Sequence, residues 1–285
     1  MNTNNKSLAY IHVSVFLFGF SALFARLVNQ PSIVITFGRV FFSSIFLFVL
    51  TRCHKADIRL QSKKEYLLIV VSGIILALHW YCFIQSIQLS TVAIGTITFS
   101  TFPVFVAFLE PVFFRERVRA RAIICSILML GGILIIAMNN TGEGSSNMAL
   151  GIIVGFISSL TYAVLSLLNR SFSCNYKSEV IVFYEQAIAA IAILPFMFIV
   201  KTVIAVNDVL LLAILGIIFT ALAHGLFVKG LRYVKASTAG IISGLEAVYA
   251  IILALALLKE IPALNEIAGG LVVIVLAGYM TVGGE

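Results

Sequence analysis

Ten apolar runs of about twenty residues each dominate this chain, and no other feature narrows its folding choices so far. They cover residues 8–27, 31–51, 66–88, 91–114, 121–138, 148–169, 179–200, 208–228, 236–258 and 264–282. A helix needs about 20 predominantly apolar residues to cross the hydrocarbon core of a bilayer. Ten such runs within 285 residues leave only short connections and no room for a large soluble domain. Two of the breaks, Asn29-Gln30-Pro31 and Gln88-Leu89-Ser90-Thr91, are tight turns. Charge agrees with this reading: 11% of residues are Asp, Glu, Lys or Arg, against about 25% in an ordinary soluble domain. The expectation is an all-α integral membrane protein with ten transmembrane helices, in contact with the lipid bilayer.

The net charge is +7, and its placement reads as topology, not as a nucleic-acid surface. Basic residues crowd the loops after the second, fourth, sixth and eighth runs, with Lys6 before the first. Together these hold fifteen of the nineteen Lys and Arg; Arg26, Lys201 and Lys259 fall on the other side, and Arg39 lies within the second run. We call the two sides the basic face and the far face. The positive-inside rule puts the basic face, and with it both termini, in the cytoplasm. The first run lacks the small-residue cleavage site of a signal peptide, so it is expected to stay as a span. The four cysteines form no CxxC and no metal-ligand spacing, so neither disulfide nor metal is expected.

A shift of 144 residues lays one half of the chain on the other. Phe83–Glu116 then aligns ungapped with Phe227–Glu260, and Arg26 falls on Arg170. Each half holds five spans. An odd number means that the second half enters the membrane the opposite way up, giving two inverted five-helix repeats, 1–140 and 148–285. That is a secondary-transporter architecture, with the substrate site near the midplane between the repeats.

The residues at these positions resemble the EamA-type permeases of the drug/metabolite transporter superfamily, over essentially the whole chain. Carrying the resemblance are Phe37-Gly38-Arg39, the run Ser90–Pro103 ending Ser-Thr-Phe-Pro, Glu116-Arg117, Leu245-Glu246-Ala247-Val248 and Glu260. The family often has a proline where Ala247 stands, which puts any kink there in question. The resemblance implies ten helices, a central cavity, alternating access, and small-molecule substrates such as amino acids and related metabolites, often exported.

Polar side chains deep in apolar runs need a reason, since a central charge costs about 2.5–3.5 kcal/mol on insertion scales. Glu246 is central in the ninth run, with Ser243 and Tyr249 on the same side of its helix. It is a candidate to exchange a proton or receive a substrate ammonium; otherwise it is a neutral carboxyl holding a neighbouring helix. His224 lies 144 residues from Trp80, and His79 and Tyr81 flank that tryptophan. Such rings can stack on or cap a planar or cationic substrate, or simply fill the bundle. His224 is the competing proton-coupling residue, because imidazole titrates nearest neutral pH. Arg39 either snorkels to the interface or holds a substrate carboxylate. Gly95, Thr98 and Thr101 share a helix face with Pro103 just beyond, and Thr98 completes the candidate substrate site: Arg39, His79, Trp80, Tyr81, Thr98, His224, Glu246 and Tyr249. Gly240 and Gly244 form a small-residue packing pair. Glu110, one turn from Arg115, is expected to make a structural ion pair with it.

No P-loop, HExxH or GxSxG occurs, so no cofactor, metal or enzymatic activity is expected. The sequence reads as a secondary transporter of small organic metabolites in a bacterial inner membrane, a monomer or weak dimer. Amino-acid or related metabolite export leads, with a proton as the candidate coupling ion. Uptake or exchange is the alternative within transport, and a non-transporting membrane module the alternative outside it.

Overall fold

The computed structural model describes residues 3–115, 145–261 and 264–282, together with 120, 123–125, 127, 128 and 131. The helices are α1 (Thr3–Leu27), α2 (Ser32–Cys53), α3 (Lys63–Leu89), α4 (Val92–Phe99), α5 (Phe102–Phe114), α6 (Ser145–Ser173), α7 (Ser178–Met197) and α8 (Val206–Gly216). Next come α9 (Ala223–Leu231), α10 (Ala236–Ser243), α11 (Leu245–Leu253) and α12 (Leu264–Val282). No strand occurs among the described residues. Several of these segments join end to end. Eight helical stretches of the described residues are long and apolar enough to cross a membrane. Ten were expected. Most of the fifth run lies outside the described residues, and the tenth coincides with the 19-residue α12.

Local chemistry sets the helix starts. Ser62 caps α3 in a capping box with Glu65, satisfying backbone N–H groups that a helix start leaves unpaired. Thr91 caps α4 by accepting from the Ile94 N–H. Serine and threonine hydroxyls inside the helices bond back to carbonyls of the preceding turn, as Thr36 does to Ser32 and Thr96 to Val92. Those hydroxyls are then satisfied without water. Large apolar side chains such as Val13, Phe48, Leu67 and Ile191 stay exposed on the outer surface, as a bilayer requires.

Both runs at the heart of the aligned segments are broken helices. The fourth is interrupted at Ser100-Thr101, with Pro103 in the first turn of α5. The ninth is interrupted at Gly244, 144 residues after Ser100. The missing proline at Ala247 therefore does not prevent a break. The eighth run bends differently, through a π-helical turn over Ile217–Leu222 between α8 and α9. Extra π turns inside helices concentrate at functional sites.

Helices of the first half pack mainly on helices of the second: α3 on α6 and α7, α2 on α7 and α8, α1 on α9 and α11. Glycines permit close approaches between the halves. A Cβ on Gly19 would sit 2.6 Å from Tyr249 Cβ, and one on Gly216 2.8 Å from the Arg39 carbonyl oxygen. The seam between the halves is where the buried polar residues gather.

Candidate functional site

Among the described residues, Arg39 is the largest fully buried side chain. It does not snorkel to an interface. Its guanidinium carbon lies 3.2 Å from the Trp80 ring centroid. Nε donates to Thr220 Oγ1 at 3.2 Å and Nη2 to Ser21 Oγ at 3.1 Å, while Nη1 has no partner. Thr220 sits in the π turn and donates its own proton to the Leu215 carbonyl at 2.8 Å. The bulge thus offers its oxygen to Arg39, and Gly216 lets that segment come against α2. Among the described residues, no carboxylate lies within 4.0 Å of the guanidinium. Glu246, 3% exposed on α11, interacts with Arg39 through its charge without touching it. Cation and carboxyl share one interior and do not pair.

Rings wall this interior. His79 lies 4.6 Å from Trp80 and 4.7 Å from Tyr162, centroid to centroid. Its Nδ1 meets the Ser158 carbonyl at 3.0 Å, and Nε2 is unpartnered. The Trp80 Nε1 and the Tyr162 hydroxyl also lack partners. Phe18 packs on Trp80, and Phe227 packs on both Phe18 and Tyr162. Phe18 and Tyr162 are themselves 144 residues apart, so the repeat pointed to Tyr162; the sequence reading did not use that signal. Nor did it include Ser21 and Thr220, whose hydroxyls are ordinary in sequence and matter only through the folded geometry.

The structure brings together Arg39, His79, Trp80 and Glu246 of the expected site. His224 is buried in the same seam but bonds Asn169 and Gln186. Thr98 is buried and bonds back to the Ile94 carbonyl, packed where α4 meets Gly155 of α6. Tyr81 lies in a separate apolar groove of about 540 Å³ with Ile33, Ile74 and Phe196. Tyr249 packs edge-on against Phe16, a ring 46% exposed on the outer surface.

Comparison with known proteins agrees with this architecture. The EamA-like transporter family matches residues 5–138 and again 149–282, two copies displaced by the 144 residues of the internal shift. The chain belongs to the EamA-like transporter family. It is 28% identical over 272 residues to an uncharacterized transporter of Archaeoglobus fulgidus, covering 95% of this chain and 94% of that one. It is 26% identical over 168 residues to the pseudopaline exporter CntI of Pseudomonas aeruginosa, which is 59% of this chain and 57% of that protein. A solved crystal structure superposes with a TM-score of 0.78 over 98% of both chains at 15% identity, a likeness of fold.

In this EamA-like transporter the contacts between the halves include two arginine–glutamate pairs among the described residues, one at each end of the bundle. At the basic face, Glu110 of α5 accepts from Arg170 Nη1 at 2.7 Å and from the backbone N–H of Ala236 at 2.8 Å and of Ser237 at 3.2 Å. Glu110 does not pair with Arg115, which ends α5 in a left-handed conformation that takes its side chain off the helix face. At the far face, Glu260 lies 3.4 Å from Arg26 and accepts from the Val92 N–H at 3.4 Å. Arg26 also bonds the Ser90 carbonyl. Arg26 and Arg170 are 144 apart, as are Val92 and Ala236. In each contact a carboxylate from one half meets the positive end of a short helix in the other.

Proposed function

We propose that this protein carries small carboxylate-bearing metabolites, amino acids or close relatives, across a cell membrane by alternating access. The observation that carries the reading is Arg39: a buried guanidinium, always charged, stacked on Trp80, with one nitrogen unpartnered and no carboxylate in contact. A substrate carboxylate supplies the missing anion, and Glu246 receives the substrate ammonium. His79, Trp80 and Tyr162 give the rest of the molecule a ring-lined wall with polar edges. Ten helices in two inverted repeats, 1–140 and 148–285, with the basic face and both termini in the cytoplasm of a bacterial cell, is the topology we propose. It rests on the charge asymmetry and on the doubled family match. The Glu110 and Glu260 contacts then act as the cytoplasmic and outer gates, each released in turn as the broken helices rock. Export is the proposed direction, supported by the likeness to the pseudopaline exporter.

The test is a screen of the purified protein against amino acids, their amides and esters, and small carboxylic acids, read as melting temperature and Trp80 emission. A ligand that binds only the folded protein raises its melting temperature. Free carboxylates should raise it, their esters should not, and Arg39→Gln should abolish the response. Stabilisation by esters equal to that by the acids would sink the reading.

A further inference from the structure

A second polar cluster lies in the same seam, nearer the basic face. Asn169 of α6, Glu185 and Gln186 of α7 and His224 of α9 are all at most 1% exposed. His224 stands between two amides, its Nε2 3.3 Å from Asn169 Nδ2 and its Nδ1 3.4 Å from Gln186 Nε2. Glu185 Oε2 lies 3.8 Å from His224 Nε2, and neither Glu185 oxygen has a hydrogen-bond partner. The Gln186 and Asn169 amide oxygens are unpartnered too.

The Asn169 side chain is the donor beside Glu185, and a buried carboxylate with no well-formed hydrogen bond on either oxygen is costly unless a cation joins it. The neighbours suit the smallest cation. Neutral imidazole needs one donor and one acceptor; imidazolium needs two acceptors. An amide turned over presents oxygen in place of nitrogen, so Asn169 and Gln186 can serve the ring in every protonation state. Other charged or titratable groups facing the cluster are few. Arg39 of α2 and His79 of α3 interact with His224 through charge, and Tyr162 of α6 interacts with both Glu185 and Glu246.

We propose that Glu185 and His224 form a proton-binding site, holding one exchangeable proton between carboxyl and imidazole while Asn169 and Gln186 turn their amides to suit either holder. The step is a proton transfer: hydronium from the aqueous side gives its proton to the Glu185 carboxylate or the His224 ring, so one hydronium O–H bond breaks, leaving water, and one O–H or N–H bond forms in its place. The proton's role as coupling ion rests on the transport reading above; its binding does not. In this arrangement the two carboxyls divide the work, Glu246 taking substrate and Glu185 the proton.

Infrared pH titration of the purified protein, in H2O and D2O and without any substrate, tests this. A carbonyl band of neutral carboxyl should grow on acidification, shift in D2O, vanish in Glu185→Gln and persist in Glu246→Gln. His224→Gln should displace its midpoint by about one pH unit, a tenfold change in proton affinity. Survival of the titrating band in Glu185→Gln overturns the proposal, as does a Glu185 band indifferent to both pH and D2O. If Glu185→Gln does not fold, an unmoved midpoint in His224→Gln overturns it instead. A titrating Glu185 band in a protein that no carboxylate stabilises leaves the proton site standing and removes the substrate reading.

Discussion

The contacts at the two ends of the bundle use the same parts and differ in depth. Glu110 is 6% and Arg170 17% exposed at the side chain, while Glu260 and Arg26 are 31% and 33% exposed. The arginines and the capped helix starts are 144 residues apart; the acids are not. Glu116, the counterpart of Glu260 by the shift, lies outside the described residues; the described acid at the basic face is Glu110, six residues earlier in the chain and inside a helix. The counterpart of Glu110 in the second half is Ala254, buried and apolar. Glu260 instead follows a π turn and the left-handed Lys259, past the end of its helix. The lesson is that symmetry sets where such a contact can be, while one acid's position along its helix sets how firmly that contact holds. Removing one partner of a buried pair leaves the other charge uncompensated, at a cost of about 3–5 kcal/mol. An exposed pair is worth about 0.2–1 kcal/mol. The protein should therefore rest with its basic face shut more firmly than its far face.

Glu110→Ala should show the largest effect. It removes a mostly buried carboxylate that bonds Arg170 and caps the first turn of α10, so a loss of about 3–5 kcal/mol is expected, against under about 1 kcal/mol for Glu260→Ala. Thermal melting of the two variants beside wild type measures both. The milder Glu110→Gln and Glu260→Gln test sidedness. Trp80, the single tryptophan of the chain and 4% exposed, reports on access to the interior. In sealed vesicles of known orientation, iodide should quench it several-fold better from the basic face in Glu110→Gln and from the far face in Glu260→Gln. Equal melting losses, or quenching that rises on the same side in both variants, would remove the contrast.

An intermediate effect separates the two arginines. Arg170 lies 4.4 Å from the Phe114 ring centroid while it bonds Glu110, and lysine matches neither the planar stacking nor the fork of donors. Arg170→Lys should cost about 1–2 kcal/mol. Arg26→Lys, at a site one-third open to water, should change the melting temperature little. A loss at Arg26 as large as that at Arg170 would mean that burial is not what distinguishes the gates.

Much of this was legible in the sequence, because hydropathy and the 144-residue shift are properties of long segments. Eight of the ten expected spans and the 144-residue spacing of the doubled family match follow from them. Contacts between particular side chains did not follow. Trp80 and Tyr81 are neighbours in sequence, but successive helical residues point about 100° apart, so one faces Arg39 and the other an apolar groove. Glu110 was assigned the arginine nearest in sequence, whereas its partner is sixty residues away on another helix. The π turn at Ile217–Leu222 has no glycine or proline to announce it. Its Thr220 is an unremarked polar residue until α2 brings Arg39 against it. Glu185 lies within the seventh apolar run, but its neighbours Asn169 and His224 come from helices that only the fold assembles.

The smallest expected effect is that of salt. Raising ionic strength from 0.1 M to 1 M shortens the Debye length from about 10 Å to about 3 Å. Exposed charges are then screened and buried ones much less. The Arg26–Glu260 pair, open to water and 3.4 Å apart, should loosen; the Arg170–Glu110 pair, at 2.7 Å and mostly buried, should not. In wild-type vesicles, iodide held at a fixed low concentration with chloride making up the balance should quench Trp80 slightly better from the far face at high salt. From the basic face it should quench no better. Glu260→Gln should abolish the salt response, because the pair being screened is gone. A response that persists in that variant would assign the effect to some other charge. One appearing at the basic face would mean that the Glu110 contact is wetter than its burial implies, and the proposed ranking of the gates would fail with it.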